Sequence, residues 1–280
     1  MLQGPDPRGH GHQSGQGIFS AACLPPFLCL DGRVLITLTT DFGTSDWFTG
    51  SMKGVISGIA PATRIIDITH QIPPGDLVDG AFTLAASTPY FPPGTIHVAV
   101  VDPGVGSARR AITLRTRHAI FIGPDNGVLS WAVREQQIEE IRVLNNEDWF
   151  LEPVSHTFHG RDIFAPAAAR LATGASFDEA GDTIEDFVRL PWPEVVEGDN
   201  EVRGEVVHID RFGNAISNLP ASVFPRDLLD SGGITTMCGG RPAPLHHSYT
   251  DVNLGKPLAL LGSSDLLELA INGDDFAEQN

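Results

Sequence analysis

From Val34 onward, short apolar, β-branched runs alternate with segments of helical periodicity, and this alternation restricts the fold more than any other feature of the chain. Val34–Thr40, Arg64–Thr69 and Thr95–Asp102 read as strands. Asp46–Ala60 carries Trp47, Met52, Val55, Ile56 and Ile59 at helical spacing, with Ser45 or Asp46 as the expected N-cap. Asp76–Tyr90 repeats the pattern through Leu77, Ala81, Leu84 and Ala85. Ala111–Thr116 and Ala119–Gly123 read as a hairpin, and Gly127–Arg134 and Asp162–Ala172 as helices. Strands alternating with helices of this length require parallel crossovers. Residues 34–190 are therefore expected to form an α/β sandwich-like domain on a mostly parallel sheet.

The rhythm stops near Leu190. Pro191-Trp192-Pro193 and the acidic stretch to Asn200 read as a linker over 191–201. Beyond it, Val202–Ile209, Ala215–Leu219, Gly233–Met237, Pro257–Leu261 and Leu266–Ile271 are short runs parted by turn residues. A small β-barrel domain over 202–280 is expected from them. Residues 1–33 are rich in Gly, His, Gln and Pro and show neither period. They read as a disordered tail or as upstream sequence included by a misplaced start.

Charge narrows the partners. A net charge of -17, with only 18 lysines and arginines, argues against nucleic acid, whose phosphates need a basic face. No apolar run is long enough to span a bilayer. The three cysteines, Cys23, Cys29 and Cys238, form no C-x-x-C, which fits a reduced cytoplasmic setting.

Chemistry concentrates where strands end. In open α/β sheets ligands bind outside the carboxyl ends of the strands. Asp41 closes the first strand in T-T-D-F-G-T-S-D and can accept hydrogen bonds from a vicinal diol, or serve as a turn aspartate. Asp102 closes another in V-D-P-G-V-G-S-A-R, whose glycines permit close approach of backbone to a ligand. Arg109, seven residues on, is placed to fold back onto Asp102, either for function or to brace a hairpin. His159, in T-F-H-G-R-D-I-F-A-P, precedes a helical pattern and suits proton handling. In the second domain, I-D-R-F-G-N offers Asp210, Phe212 and Asn214: a carboxylate, an aromatic face and an amide.

Several other readings find little support in the spacing. The D-F-G string lacks the kinase catalytic loop and glycine-rich loop, and no G-x-S-x-G elbow is present. Asp41, His70, Asp102, His159 and Asp162 show no H-x-x-x-H, H-x-H or D-x-D spacing for a metal.

These motifs, joined by G-P-D-N-G-V-L-S and the closing G-S-S-D-L-L-E-L-A-I-N-G, resemble in order and spacing the S-adenosyl-L-methionine (SAM) hydroxide adenosyltransferase family. These enzymes, also called SAM hydrolases, are related to the SAM-dependent fluorinase and chlorinase. The resemblance covers about Val34 to Phe276. It implies cleavage of SAM by water to adenosine and L-methionine, without metal or redox cofactor. It also implies a homotrimer with SAM held between the N-terminal domain of one subunit and the C-terminal domain of the next. The catalytic set it implies is Asp102, Arg109 and His159, with Asp41 on the ribose. Phe212, Asn214 and backbone near Asn272 would meet adenine, and Asp46, Asp210 and Ser263 the methionine end. Where the halogenases resemble Tyr-Ser this chain has His159-Gly160, and where they place a threonine beside the halide it has Val105. Their stacking tryptophan is replaced by Gly75 and their arginine after the serine by Ser264. The remaining readings are a halogenase, a SAM- or adenosine-binding module without turnover, and a metal hydrolase.

Overall fold

The computed structural model describes residues 34–231 and 233–279, so the N-terminal segment through 33 lies outside it. The first half forms β1 (Leu35–Thr40), α1 (Phe48–Ile59), β2 (Arg64–Thr69), α2 (Leu77–Ser87), β3 (Thr95–Val100), β4 (Ala111–Thr116), β5 (Ala119–Pro124), β6 (Ile138–Val143) and α3 (Ala165–Ala172). Its six strands lie in the order β2-β1-β3-β5-β4-β6. The pairs β1–β2, β1–β3 and β3–β5 are parallel, and β4 runs antiparallel to β5 and β6. The expected α/β domain with a mostly parallel sheet is observed.

Both faces of this sheet are covered, which explains why its central strands read as nearly continuous apolar runs. Ile36, Leu38, Ile96, Val98 and Val100 face one way, onto Met52 and Ile56 of α1 and the alanine-rich α3. Ala99, Val101, Leu114 and Phe121 face the other way, onto Phe82 and Leu84 of α2. His97 belongs to this second layer, with its ring 5.4 Å from Phe91 and 5.2 Å from Phe121. Burial pushes its pKa down to about 3, so it is a neutral core residue bonded to Thr37.

The second half holds the hairpin β7 (Val196–Glu197) and β8 (Val202–Arg203), then β9 (Val206–Ile209), β10 (Ala215–Pro220), α4 (Arg226–Ser231), β11 (Thr235–Cys238), β12 (Arg241–Pro244), β13 (Pro257–Leu261), β14 (Leu266–Ile271) and α5 (Phe276–Gln279). Here β13, β14, β10 and β9 form an antiparallel sheet and β11–β12 a separate hairpin, joined to it by one bridge between Leu245 and Ala259. This is a β-rich domain. Val207 and Leu266 pack into the α2 layer of the first domain, and the His208 ring stacks 4.8 Å from Phe82.

Two local expectations need correction. Gly127–Arg134 is a run of turns, closed by Ser130 N–H to Gly127 O at 2.9 Å and Arg134 N–H to Trp131 O at 3.3 Å. Its apolar residues are buried under Leu190 and Trp192, so the spacing reflected burial on several sides. Helix α1 begins after Trp47, which takes the N-cap position without a side-chain bond, so neither Ser45 nor Asp46 caps it.

Candidate active site

The order β2-β1-β3 puts a topological switch point between β1 and β3, where a parallel sheet opens a crevice at its carboxyl edge. Asp41 and Asp102 leave these two neighbouring strands at that edge. Gly75, whose φ of +76° favours glycine, donates its N–H to Asp41 Oδ2 at 2.9 Å. A Cβ on Gly75 would lie 3.7 Å from Pro103, so the turn before α2 abuts the turn after β3. Burial, with a smaller contribution from the charge of Asp102, raises the Asp41 pKa. Two carboxylates thus converge on one crevice.

Arg109 folds back onto Asp102. Its Nε lies 3.0 and 3.1 Å from the two carboxylate oxygens and its Nη2 2.5 Å from Oδ2. The pair is well shielded: the side chains are 4% and 10% exposed. The same Nη2 reaches His159 Nδ1 at 2.7 Å. A guanidinium has only donors, so Nδ1 accepts and the imidazole proton resides on Nε2. The His159 pKa is lowered by burial and by the Arg109 charge, against the pull of Asp102 and Asp162, which keeps the ring neutral. The three residues form one chain of contacts, from carboxylate to guanidinium to imidazole.

The glycines beside Asp102 serve this assembly from within. Gly106 has φ of +77°, and a Cβ there would sit 2.3 Å from the carbonyl oxygen of His156. At Gly106 the chain thus makes a close approach to its own 155–159 loop. Gly160 is likewise enclosed by Met52, Phe42 and Phe158. His159 stands just before a single π turn, Gly160–Phe164, that leads into α3; such turns recur at functional sites. His70 is not part of the cluster, because it bonds Thr40 at 2.9 Å and faces Asp67 at 3.0 Å. Among the described residues no group of three or more His, Cys, Asp or Glu is arranged to hold a metal ion.

The second-domain residues form a separate set. Asp210 accepts the Phe212 and Asn214 backbone N–H groups at 2.8 and 2.9 Å and the Asn214 amide at 3.0 Å, fixing the β9–β10 turn. That turn presents Phe212 to solvent, 75% exposed. Asn272 donates to the Val252 carbonyl at 2.7 Å. Ser263 lies on a cleft shared with Thr83, Ala86 and Ser87 in the later half of α2, whereas Asp41 meets the residue before that helix's N-cap. Asp46 is exposed in the loop between β1 and α1. Among the described residues no hydrogen bond or ion pair joins the Asp102–Arg109–His159 set to Asp210, Asn214 or Asn272. Sequence reading missed Tyr249 and Glu268, which bond each other and feel the charge of Asp210. Nothing local marks them, since the contact spans 19 positions and needs the sheet to form.

Patterns of one protein family match most of this chain. The SAM hydroxide adenosyltransferase N-terminal domain pattern matches residues 36–181, and the corresponding C-terminal domain pattern matches 204–280. A protein of Salinispora tropica named (R)-S-adenosyl-L-methionine hydrolase is 42% identical over 249 residues, covering 87% of this chain and 92% of its own. A fluorinase of Actinoplanes sp. is 29% identical, covering 88% and 94%. A crystallised conserved protein of Thermotoga maritima superposes with a TM-score of 0.82 at 35% identity, covering 87% and 95%.

Proposed function

The chain belongs to the SAM hydroxide adenosyltransferase family, and from that membership we propose that it hydrolyses SAM at the ribose C5′, giving adenosine and L-methionine. The observation that carries the mechanism is the unbroken Asp102–Arg109–His159 contact chain beside Asp41 at the β1–β3 crevice.

In the reaction a water oxygen forms a bond to C5′ as the C5′–S bond breaks. The bonding pair goes to sulfur, which leaves as the neutral thioether of methionine. The water loses one proton, and the positive charge of the sulfonium ends on that proton. The departing group needs little help, so the task is to hold a weak nucleophile in line with C–S. His159 presents its Nε2–H as a donor to the water oxygen. With Nδ1 engaged by Arg109 it is a poor base, so Asp102 takes the proton. The Asp102 carboxylate keeps acceptor capacity beyond its bonds to Arg109. Arg109 fixes both partners and stabilises hydroxide character as the proton moves. Asp41 keeps an oxygen free for the ribose diol, and with Arg109 offsetting Asp102 the three groups leave one net negative charge, which favours a cationic substrate.

The adenine and methionine contacts come from the second set: Phe212, Asn214 and backbone near Asn272 on the base, with Asp210, Ser263 and Asp46 on the amino-acid end. Among the described residues no hydrogen bond or ion pair links these groups to Asp102, and Phe212 is exposed. The active site is accordingly shared between copies in a homotrimer, each joining its first domain to a neighbour's second. Closure of the second domain into a barrel, the division of the chain at 191–201, and a cytoplasmic location complete the reading. Likeness to the fluorinase keeps halide transfer as the second reading, and the His159–Arg109 contact in place of Tyr-Ser favours water.

Arg109→Ala should lower kcat by roughly 10²–10³-fold, the usual cost of losing a group that stabilises developing charge. SAM binding, followed by calorimetry, should persist. Turnover at the wild-type level in that variant contradicts the role given to Arg109.

A further inference from the structure

Asp162 lies three residues beyond His159, fully buried, and takes no part in the steps above. Its carboxylate is occupied by three donors. Arg161 Nε reaches Oδ1 at 2.6 Å, Arg161 Nη2 reaches Oδ2 at 3.1 Å, and the Ser155 N–H reaches Oδ2 at 2.9 Å. Its backbone is engaged as well: the carbonyl accepts the Leu151 N–H at 2.9 Å, and its own N–H donates to Phe158 O at 3.1 Å. Arg161, drawn in by the carboxylate, lies 5.2 Å from the Phe158 ring. That ring in turn packs edge-on against Phe48 at 5.1 Å and Phe42 at 5.8 Å.

Residue 162 thereby ties both ends of the loop that carries His159. Its carboxylate holds Ser155 at the loop's entry and Arg161 in the π turn, and its backbone holds Leu151 and Phe158. Burying an ionised group is costly unless it is fully hydrogen-bonded. A purely structural loop closure is served as well by an apolar plug, so a carboxylate here calls for a reason. From this geometry we infer that Asp162 is a positioning residue for hydrolysis: it fixes the 155–159 loop so that His159 Nδ1 stays in contact with Arg109. Its negative charge also acts on the imidazole, together with Asp102, and against Arg109 and His156.

The inference rests on His159 belonging to the hydrolytic set, so the test is a double-mutant cycle in the full-length protein. SAM turnover, pH–rate profile and thermal unfolding are measured for wild type, His159→Ala, Asp162→Asn and the double variant. Asp162→Asn should lower kcat by roughly ten- to a hundredfold, the scale of a misplaced catalytic group, with little change in KM. Its acid limb should move to lower pH, because a negative charge near the imidazole is gone. In the His159→Ala background the same substitution should cost less than about twofold, since residues acting through one another are not additive. Arg161→Gln, at a part-exposed position, loosens the same clamp while keeping the carboxylate, and should show the same coupling should Asp162→Asn fold poorly. Wild-type turnover in His159→Ala overturns the underlying reading of His159. Impaired His159→Ala with additive losses, or with an unmoved acid limb in Asp162→Asn, overturns the positioning role alone.

Discussion

His159 takes its character from what it touches. Arg109 offers only N–H groups, so the imidazole accepts at Nδ1 and donates from Nε2. Protonation would set two cationic groups against each other across 2.7 Å. Burial and Arg109 both place the pKa below the ordinary histidine value of 6.5, so the neutral, working form extends to lower pH than a free histidine allows. The acid limb of kcat/KM is therefore expected below pH 6.5, with activity falling as pH drops and His159 gains a proton. An acid limb at or above 6.5 would argue that His159 works as a base whose pKa is raised. The residue-level site was largely legible beforehand: Asp41, Asp102, Arg109 and His159 all stand at strand or helix ends. The direction of the His159 proton was not, because it depends on an arginine fifty positions away.

At the scale of elements, the site is a set of turns pressed against one another. The Gly104–Ser107 turn lies on the 155–159 loop, and Gly106 is the point of contact. Gly106→Ala should destabilise the protein by about 1–3 kcal/mol, because it forces an L residue to positive φ and drives a methyl into a carbonyl. Turnover should fall with it, as Asp102 and His159 are held on the two sides of that contact. Thermal unfolding together with kinetics checks this, and unchanged Tm and kcat would refute the packing argument. Elements with a single buried face were readable: α1 and α2 through their stripes, and β4–β5 through its turn. Gly127–Arg134 was not, since a segment buried on several sides mimics helical spacing. β6 and β12 were hidden for other reasons. In β6, Glu139, Glu140 and Arg142 interrupt the apolar Ile138, Ile141 and Val143 without strict alternation, and β12 contains two prolines.

For the whole molecule, the proposed reading divides the chemistry between two sets of residues that share no hydrogen bond or ion pair among the described residues. Asp41 and Asp102 sit at the β1–β3 crevice, while Phe212 is exposed on the β9–β10 turn. On the proposed reading, this exposed aromatic, on a turn fixed by Asp210, meets the substrate held by a neighbouring copy. The solution mass should accordingly be three times the 30.0 kDa of one chain, by light scattering, and a monomer with full activity would contradict a shared site. The sequence rhythm foretold the sheet and its crevice because crossover topology follows from local periodicity. It was silent on how the domains meet, because contacts such as His208 with Phe82 and Asp79 depend on packing between distant segments.

The central claim is that this site delivers water to C5′. It is tested most directly by incubating the purified protein with SAM in H₂¹⁸O, with chloride present, and weighing the nucleoside by mass spectrometry. The account predicts adenosine labelled at the 5′-oxygen and no chlorinated nucleoside. A 5′-chloro product, or SAM left intact, would contradict it.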